Sequence, residues 1–184
     1  MRKTRHKRSR PTRAAGFTLL ELMVAITVLA VLLGIGVPAF TQIIRNNQIA
    51  AQTNEFVTAL TIARSEALKR GLPVSLCVSN SAQNACEEDA ENWNSGWIAF
   101  IDPTNPGTLD AGEDIIQVWP AISHGLNLLL DTDSVFIRYL PGGASDAAGL
   151  LTFELSRPGC TGNNARQIEI SQTGRIGSKK IGCS

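Results

Sequence analysis

One carboxylate, Glu21, stands inside an apolar run that begins at Phe17 and ends at Phe40, and no charged residue lies between Leu22 and Phe40. A carboxylate in such a segment costs about 2.5–3.5 kcal/mol at the centre of a bilayer and less near an end. A segment that only anchors gains nothing from it, so the chemistry expected of Glu21 is pairing with a cation. Cys77, Cys86, Cys160 and Cys183 are the four cysteines. An even number in a domain held beyond a membrane predicts disulfides, with alternative connectivities open. The favoured pairing is Cys77–Cys86, closing a short loop, and Cys160–Cys183, tying the last hairpin to the body. In the chain-entropy model each contributes about 3 kcal/mol. Zinc fits less well, because there is no Cys-x-x-Cys pair and His124 is the one histidine past the basic leader.

Other groupings resolve into ordinary structure. Asp102, Asn105, Asp110, Glu113 and Asp114 offer oxygens of the kind calcium takes. Pro103 and Pro106 break the spacing of a calcium loop, and Asp-Pro-Asn-Gly stretches form plain turns. His124 beside Ser123 has no third member for nucleophilic catalysis. There is neither a phosphate-cradling Gly-Lys-Ser/Thr loop nor a Gly-x-Ser-x-Gly elbow. The expectation is a protein that is not an enzyme and takes no cofactor and no metal.

The elements that must carry these residues are legible from periodicity. Phe17 to Val37 alone is 21 residues, the length of a helix that crosses a bilayer. Past Pro38 the pattern turns amphipathic: Phe56, Leu60, Ala63 and Ala67 recur at helical spacing, with Val57 and Leu68 beside them. Lys69 and Arg70 suit the negative helix end, Gly71 the left-handed cap, and Pro73 forbids continuation. Gly34, Gly36 and Pro38 predict a kink or an unwound stretch, since Pro removes a donor and Gly lowers helix propensity. Short apolar runs at 73–79, 97–101, 115–119, 126–130, 134–140, 150–155 and 166–171 read as strands. Gln172-Thr173-Gly174 turns, and Arg175 to Ile181 returns. A long helix followed by runs of strands predicts an α+β fold, with a mostly antiparallel sheet against the second half of the helix.

Charge divides the chain. Arg2, Lys3, Arg5, Lys7, Arg8, Arg10 and Arg13 precede the apolar run, as on the cytoplasmic flank of a membrane segment. The formal net charge of +1, less these seven positives, becomes −6 for the remaining side chains. From Gly71 to Ile137 there is no Lys or Arg but ten acids, whereas Arg157, Arg166, Arg175, Lys179 and Lys180 face Glu169 alone from Arg157 onward. An acidic body with a basic end concerns partners rather than fold. Cations on a constrained hairpin can follow a phosphate backbone by charge neutralisation; the plainer reading is a solvated face balancing the acids or docking on an acidic neighbour.

The basic leader ending in Gly16, then Phe17-Thr18-Leu19-Leu20-Glu21 and an apolar helix, resembles the class III signal of type IV pilins and pseudopilins. The resemblance implies cleavage of Gly16–Phe17 by a prepilin peptidase and N-methylation of Phe17. It also implies pairing of Glu21 with a neighbour's amino terminus during filament assembly. The chain then divides into a leader (1–16), a membrane and filament-core half-helix (17–40), an amphipathic half-helix (41–71) and a periplasmic β-rich domain (72–184). The 34–38 zone is where such a helix would melt on packing. An ordinary secretory signal, cut after Val37-Pro38-Ala39, is the alternative, and would leave a secreted periplasmic binding domain or hydrolase.

The Gly96-Trp97 strand leading into an Asp/Asn/Gly loop, and Ser171-x-Thr173-Gly174-Arg175, are similar to the GspH/FimT family. In some of its members a Gly-Arg-x-Arg motif contacts DNA. Here Gly174-Arg175 matches and Gly177 replaces the second Arg, with Lys179, Lys180 and Arg166 as the further candidate cations. The resemblance implies a minor pilin at the tip of a type IV pilus, priming assembly and taking up DNA, with other pilins, the prepilin peptidase, the inner membrane and double-stranded DNA as partners. A type II secretion pseudopilin of the GspH type is the alternative.

Overall fold

In the computed structural model the described residues are 16–88, 93–122 and 125–183, Pro38 by its backbone alone. The leader cations, Asp89, Glu91, Ser123 and His124 lie outside them. The chain divides into two units, Met1–Ile43 and Ile44–Ser184. One helix, α1 (Leu19–Arg70), runs through the boundary.

Within the first unit α1 is continuous across Gly34, Gly36 and Pro38, so the unwinding expected there is not a feature of the single chain. Intact flanking turns, each adding hydrogen bonds cooperatively, outweigh the one donor that Pro lacks. The helix starts on a side-chain cap. Thr18 Oγ1 accepts from the Glu21 amide at 3.2 Å, and Thr18-x-x-Glu21 has the spacing of a capping box. At its other end, Gly71 takes φ 65° and its amide bonds to Ala67 O at 3.0 Å. Lys69 and Arg70 turn back onto Glu66 at 3.3 and 2.6 Å.

The second unit holds eight strands in two antiparallel sheets. They are β1 (Val74–Val78), β2 (Trp97–Ile101), β3 (Ile115–Trp119), β4 (Asn127–Leu130), β5 (Phe136–Tyr139), β6 (Leu151–Ser156), β7 (Ala165–Ile170) and β8 (Ile176–Ile181). One sheet has the order β3-β2-β1-β5 and the other β4-β6-β7-β8. The single sheet expected from the sequence is therefore two. After Trp119-Pro120 the chain leaves the first sheet, because Asn94 captures it: Asn94 O accepts from the Ile122 amide and Asn94 Oδ1 from the Leu128 amide. β4 is thereby set beside β6 rather than β3.

The helix face anticipated from spacing is the core. Phe56, Ala59, Leu60, Ala63 and Ala67 are buried in one cluster with Leu76, Trp97 and Ile137 of the first sheet and Leu128, Phe153 and Ile168 of the second. Phe56 is its hub, with ring centroids 4.7 Å from both Trp97 and Phe153 and 6.0 Å from Trp93. Leu68, expected beside this face, is 53% exposed, because each residue turns the helix by about 100° and Ala67 takes the inward position. A smaller cluster of Cys77, Ile98 and Phe100 lies on the opposite side of the first sheet, joined by Cys86 and Phe136.

Tyr139 is the only tyrosine and is fully buried, its hydroxyl without a hydrogen-bond partner among the described residues. Burial pushes its phenol pKa up, and the nearby Arg64 guanidinium only partly opposes this. A raised folded pKa gives a stability contribution that is whole below the unfolded value of about 10 and is lost as pH rises through the folded one. Tyr139→Phe removes an unsatisfied hydroxyl and is expected to leave stability at pH 7 unchanged or higher by about 1 kcal/mol. Its advantage should widen above about pH 10, as read by denaturant unfolding at the two pH values. A Phe variant that loses stability at pH 7 would mean that the hydroxyl is bonded.

Candidate functional site

The first candidate is the amino-terminal part of α1. Phe17 is 83% exposed, and every large apolar side chain described from Leu19 to Ile44 is at least half exposed. An 18-residue window of this helix has a mean hydropathy of 2.5 and none of it is buried. Glu21 is exposed, and its carboxylate has no ion pair among the described residues. Its amide is held by Thr18, so the side chain starts from a fixed backbone. Gly16 and Phe17 precede the helix, outside any regular element.

The second candidate is the basic hairpin β7–β8. Its turn is fixed from three directions. Gly174 N bonds Ser171 O at 2.8 Å, and Ser171 N bonds Arg175 O at 3.0 Å. Arg64, from the helix, donates to Gly143 O at 2.9 Å and to Thr173 O at 3.0 Å. The Ser145 amide donates to Gln172 O at 3.0 Å. Arg64 is thus a clamp between two loops, with nothing in its own neighbourhood of sequence to announce it.

The structure does not gather the four cations singled out from the sequence. Arg166 pairs with Lys180 across the ladder and Gln167 with Lys179. Since side chains alternate along a strand, Lys179 and Lys180 must face opposite sides of the sheet. Arg166 shares the side of the buried Ile168 and Ile170, and so does Lys180. Lys179 stands on the other side and is neutralised by Glu169 at 2.7 Å. Arg175 is exposed at the turn, roughly 15 Å along the hairpin from Lys180 at about 3.3 Å per residue.

The cysteines join as Cys77–Cys86 and Cys160–Cys183, with Cα separations of 5.6 and 5.8 Å. Among the described residues no cysteine is free and no cluster of His, Cys, Asp and Glu is suited to a metal. Asp102, weighed above as a loop ligand, is instead fully buried. Its Oδ2 accepts from Ser75 Oγ and from the Gly107 amide at 2.7 Å. Arg138 donates to its carbonyl at 2.8 Å and reaches Asp146 at 3.6 Å. Asp110 and Glu113 close a turn on each other, the Asp110 amide donating to Glu113 Oε2 at 2.9 Å. These oxygens brace the loop from β2 to β3.

A family model described as Type II transport protein GspH matches residues 52–174, more than half of the chain. The chain belongs to the GspH family. A second model, the prokaryotic N-terminal methylation motif, matches residues 11–37. Among solved structures, the type IV minor pilin FimU of Pseudomonas aeruginosa (strain PAO1) is 20% identical with a TM-score of 0.58, over 72% of this chain and 89% of that one. A second crystal form of FimU gives 20% identity and a TM-score of 0.53, over 71% and 92%. The minor pseudopilin EpsH from the Type 2 Secretion System of Vibrio cholerae is 11% identical with a TM-score of 0.49, over 73% and 97%. The likeness to FimU bears on the fold alone, which is pilin-like: a long amino-terminal helix packed on antiparallel sheets. The chain has no match among curated proteins. The GspH match ends at Gly174, so Arg175, Lys179 and Lys180 lie beyond the span in which this chain follows the family.

Proposed function

We propose that the chain is a minor pilin, cut after Gly16 by a prepilin peptidase and N-methylated at Phe17. A single helix holds it in the inner membrane with the β-rich domain in the periplasm, until it joins the tip of a type IV pilus and primes assembly. The observation that carries this reading is the exposed apolar segment of α1, whose one acid has no ion pair among the described residues. So much contiguous apolar surface exceeds what soluble monomers leave to water, and lipid or neighbouring helices are what would cover it. Cleavage makes an amino-terminal cation at the very place where a neighbour's Glu21 lacks one. Gly34, Gly36 and Pro38 are then the zone where the helix melts as subunits pack. The work is structural and needs no cofactor.

The family description points to type II transport, whereas FimU is a pilus subunit. We choose the pilus because Pro38 stands where the pilin pattern has its proline; loss of secretion with piliation intact, on deletion in the native host, would reverse that choice. The defining measurement is the mature amino terminus. Mass spectrometry of protein from the native host should find a methylated Phe17. A chain that keeps the leader, or one that begins at Phe40, overturns the proposal.

DNA contact is a second reading, favoured by Arg175, which is exposed on a clamped turn and has no ion pair among the described residues. If Arg175 neutralises a phosphate, Arg175→Ala should weaken duplex retention at every sequence and lower the salt slope by about 1. A slope unchanged by the substitution removes Arg175 from any DNA contact.

A further inference from the structure

The described cations are not distributed at random between partners. Lys69 and Arg70 answer Glu66, Arg138 answers Asp102 and Asp146, and Lys179 answers Glu169. Arg64 is bonded to backbone carbonyls, and Arg175 stands at the hairpin turn. The other four beyond the leader, Arg45, Arg157, Arg166 and Lys180, have no ion pair among the described residues, and they converge. Arg166 and Lys180 are ladder partners and line a recess of about 30 Å³ against Asn46 and Ile49 of the helix. Arg157 Nη2 donates to Gln48 Oε1 at 2.8 Å. Arg45 is three and four residues before Gln48 and Ile49, which places it on the same side of the helix. The remaining lining of the recess is Asn163 and Asn164, with no carboxylate.

Arg166 and Lys180, held in one recess without a carboxylate and with Arg157 and Arg45 beside the same turn of helix, repel one another, and an anion brought between them would relieve the repulsion. Their place along the chain identifies the anion. Arg45 is the second residue of the globular unit and the first charged residue after the apolar run that ends at Phe40. Asn46 to Ile49 occupy about 6 Å of helix rise, and the headgroup layer of a bilayer is of similar thickness, about 5–7 Å on each side. The usual bias puts Lys and Arg on the cytoplasmic flank of a membrane segment, which the leader already supplies. Cations on the far flank therefore need another cause.

We propose that Arg45, Arg157, Arg166 and Lys180 form a cationic collar that takes the headgroup phosphates of anionic phospholipid at the membrane surface where the apolar segment ends. The guanidinium groups suit phosphate by bidentate bonding. Gln48 orients one of them through its Arg157 contact. This inference rests on the membrane reading above. It assigns Arg166 and Lys180 to lipid rather than to nucleic acid.

The test uses the full chain reconstituted in phosphatidylcholine vesicles containing spin-labelled phosphatidylglycerol or spin-labelled phosphatidylcholine. Each cation near an anionic surface contributes about fivefold, or about 1 kcal/mol. Averaged over all lipid around the helix, a preference of roughly twofold for phosphatidylglycerol is expected. Arg166→Gln with Lys180→Gln should lower it toward parity, 0.5 M salt should weaken it by screening the exposed charges, and Lys179→Gln should leave it intact. Equal preference in the wild type and the double variant overturns the collar. So does a double variant that loses duplex retention while keeping its lipid preference, which would give the pair to DNA. A chain with no motionally restricted lipid of either kind, and extracted by alkaline carbonate, overturns the membrane reading itself.

Discussion

Glu21→Ala is expected to leave the chain in the membrane and to exclude it from filaments. Insertion should not suffer, because a carboxylate within the apolar segment opposes it by up to about 2.5–3.5 kcal/mol. Assembly should suffer strongly. Removing one partner of a buried ion pair costs about 3–5 kcal/mol, since the other charge stays buried and unpaired. That corresponds to a loss of incorporation of about a hundredfold or more. A competing cause must be separated, because Glu21 also occupies the third helical position after Thr18, whose hydroxyl accepts from its amide. A capping box tolerates Gln there as well as Glu, and losing such a cap costs only about 0.5–2 kcal/mol. Glu21→Gln therefore decides between the two. If charge pairing matters, Gln fails as Ala does; if capping is all, Gln restores the subunit to sheared filaments. The measurement is the ratio of subunit in filaments to subunit in membranes for the three proteins.

The elements carrying this chemistry were open to reading because they repeat. Phe56, Leu60, Ala63 and Ala67 recur at helical spacing and all four are buried. The strands lie between Gly, Pro, Asn and Asp clusters and were placed to within a residue or two. The number of sheets was not legible, because alternation says which face of a strand is buried and nothing about which strand is its neighbour. That choice belongs to Asn94, whose two bonds draw the chain from one sheet to the next. The division of Lys179 from Lys180 was available in principle, since adjacent residues in a strand face opposite ways; treating the basic end as one patch ignored it. Arg64 was out of reach. Its acceptors lie 79 and 109 residues away in sequence, and an Arg on a polar helix face looks like any solvated charge. Asp102 was weighed as a ligand and set aside for a plain turn; that it is buried and braces the loop through the Ser75 and Gly107 donors was out of reach for a related reason, since Ser75 is 27 residues away in sequence.

Gly174→Ala separates the two meanings of the Gly174-Arg175 pair. In the sequence the glycine reads as part of a DNA-contacting signature, whereas in the fold it is needed where it is. Its φ is 75°, and an added Cβ would run into the Gly143 carbonyl oxygen, with Arg64 Nε 2.9 Å away. A left-handed conformation costs an L-residue roughly 1–2 kcal/mol, and overpacking adds about 1–3 kcal/mol. The obstacle is backbone, itself bonded to Arg64, so it cannot swing aside as the end of a side chain would. A loss of about 2–5 kcal/mol is expected, read as a lower denaturation midpoint with an unchanged slope. Gly177→Ala is the control: a Cβ there meets nothing within 4 Å, and stability should stay within about 0.5 kcal/mol. If Gly174→Ala were as stable as the wild type yet lost duplex retention, the glycine would belong to the DNA contact and the clamp would be incidental. If it unfolds early, the turn holds Arg175 at a fixed place on the surface, and any partner of Arg175 meets a side chain whose backbone is already set.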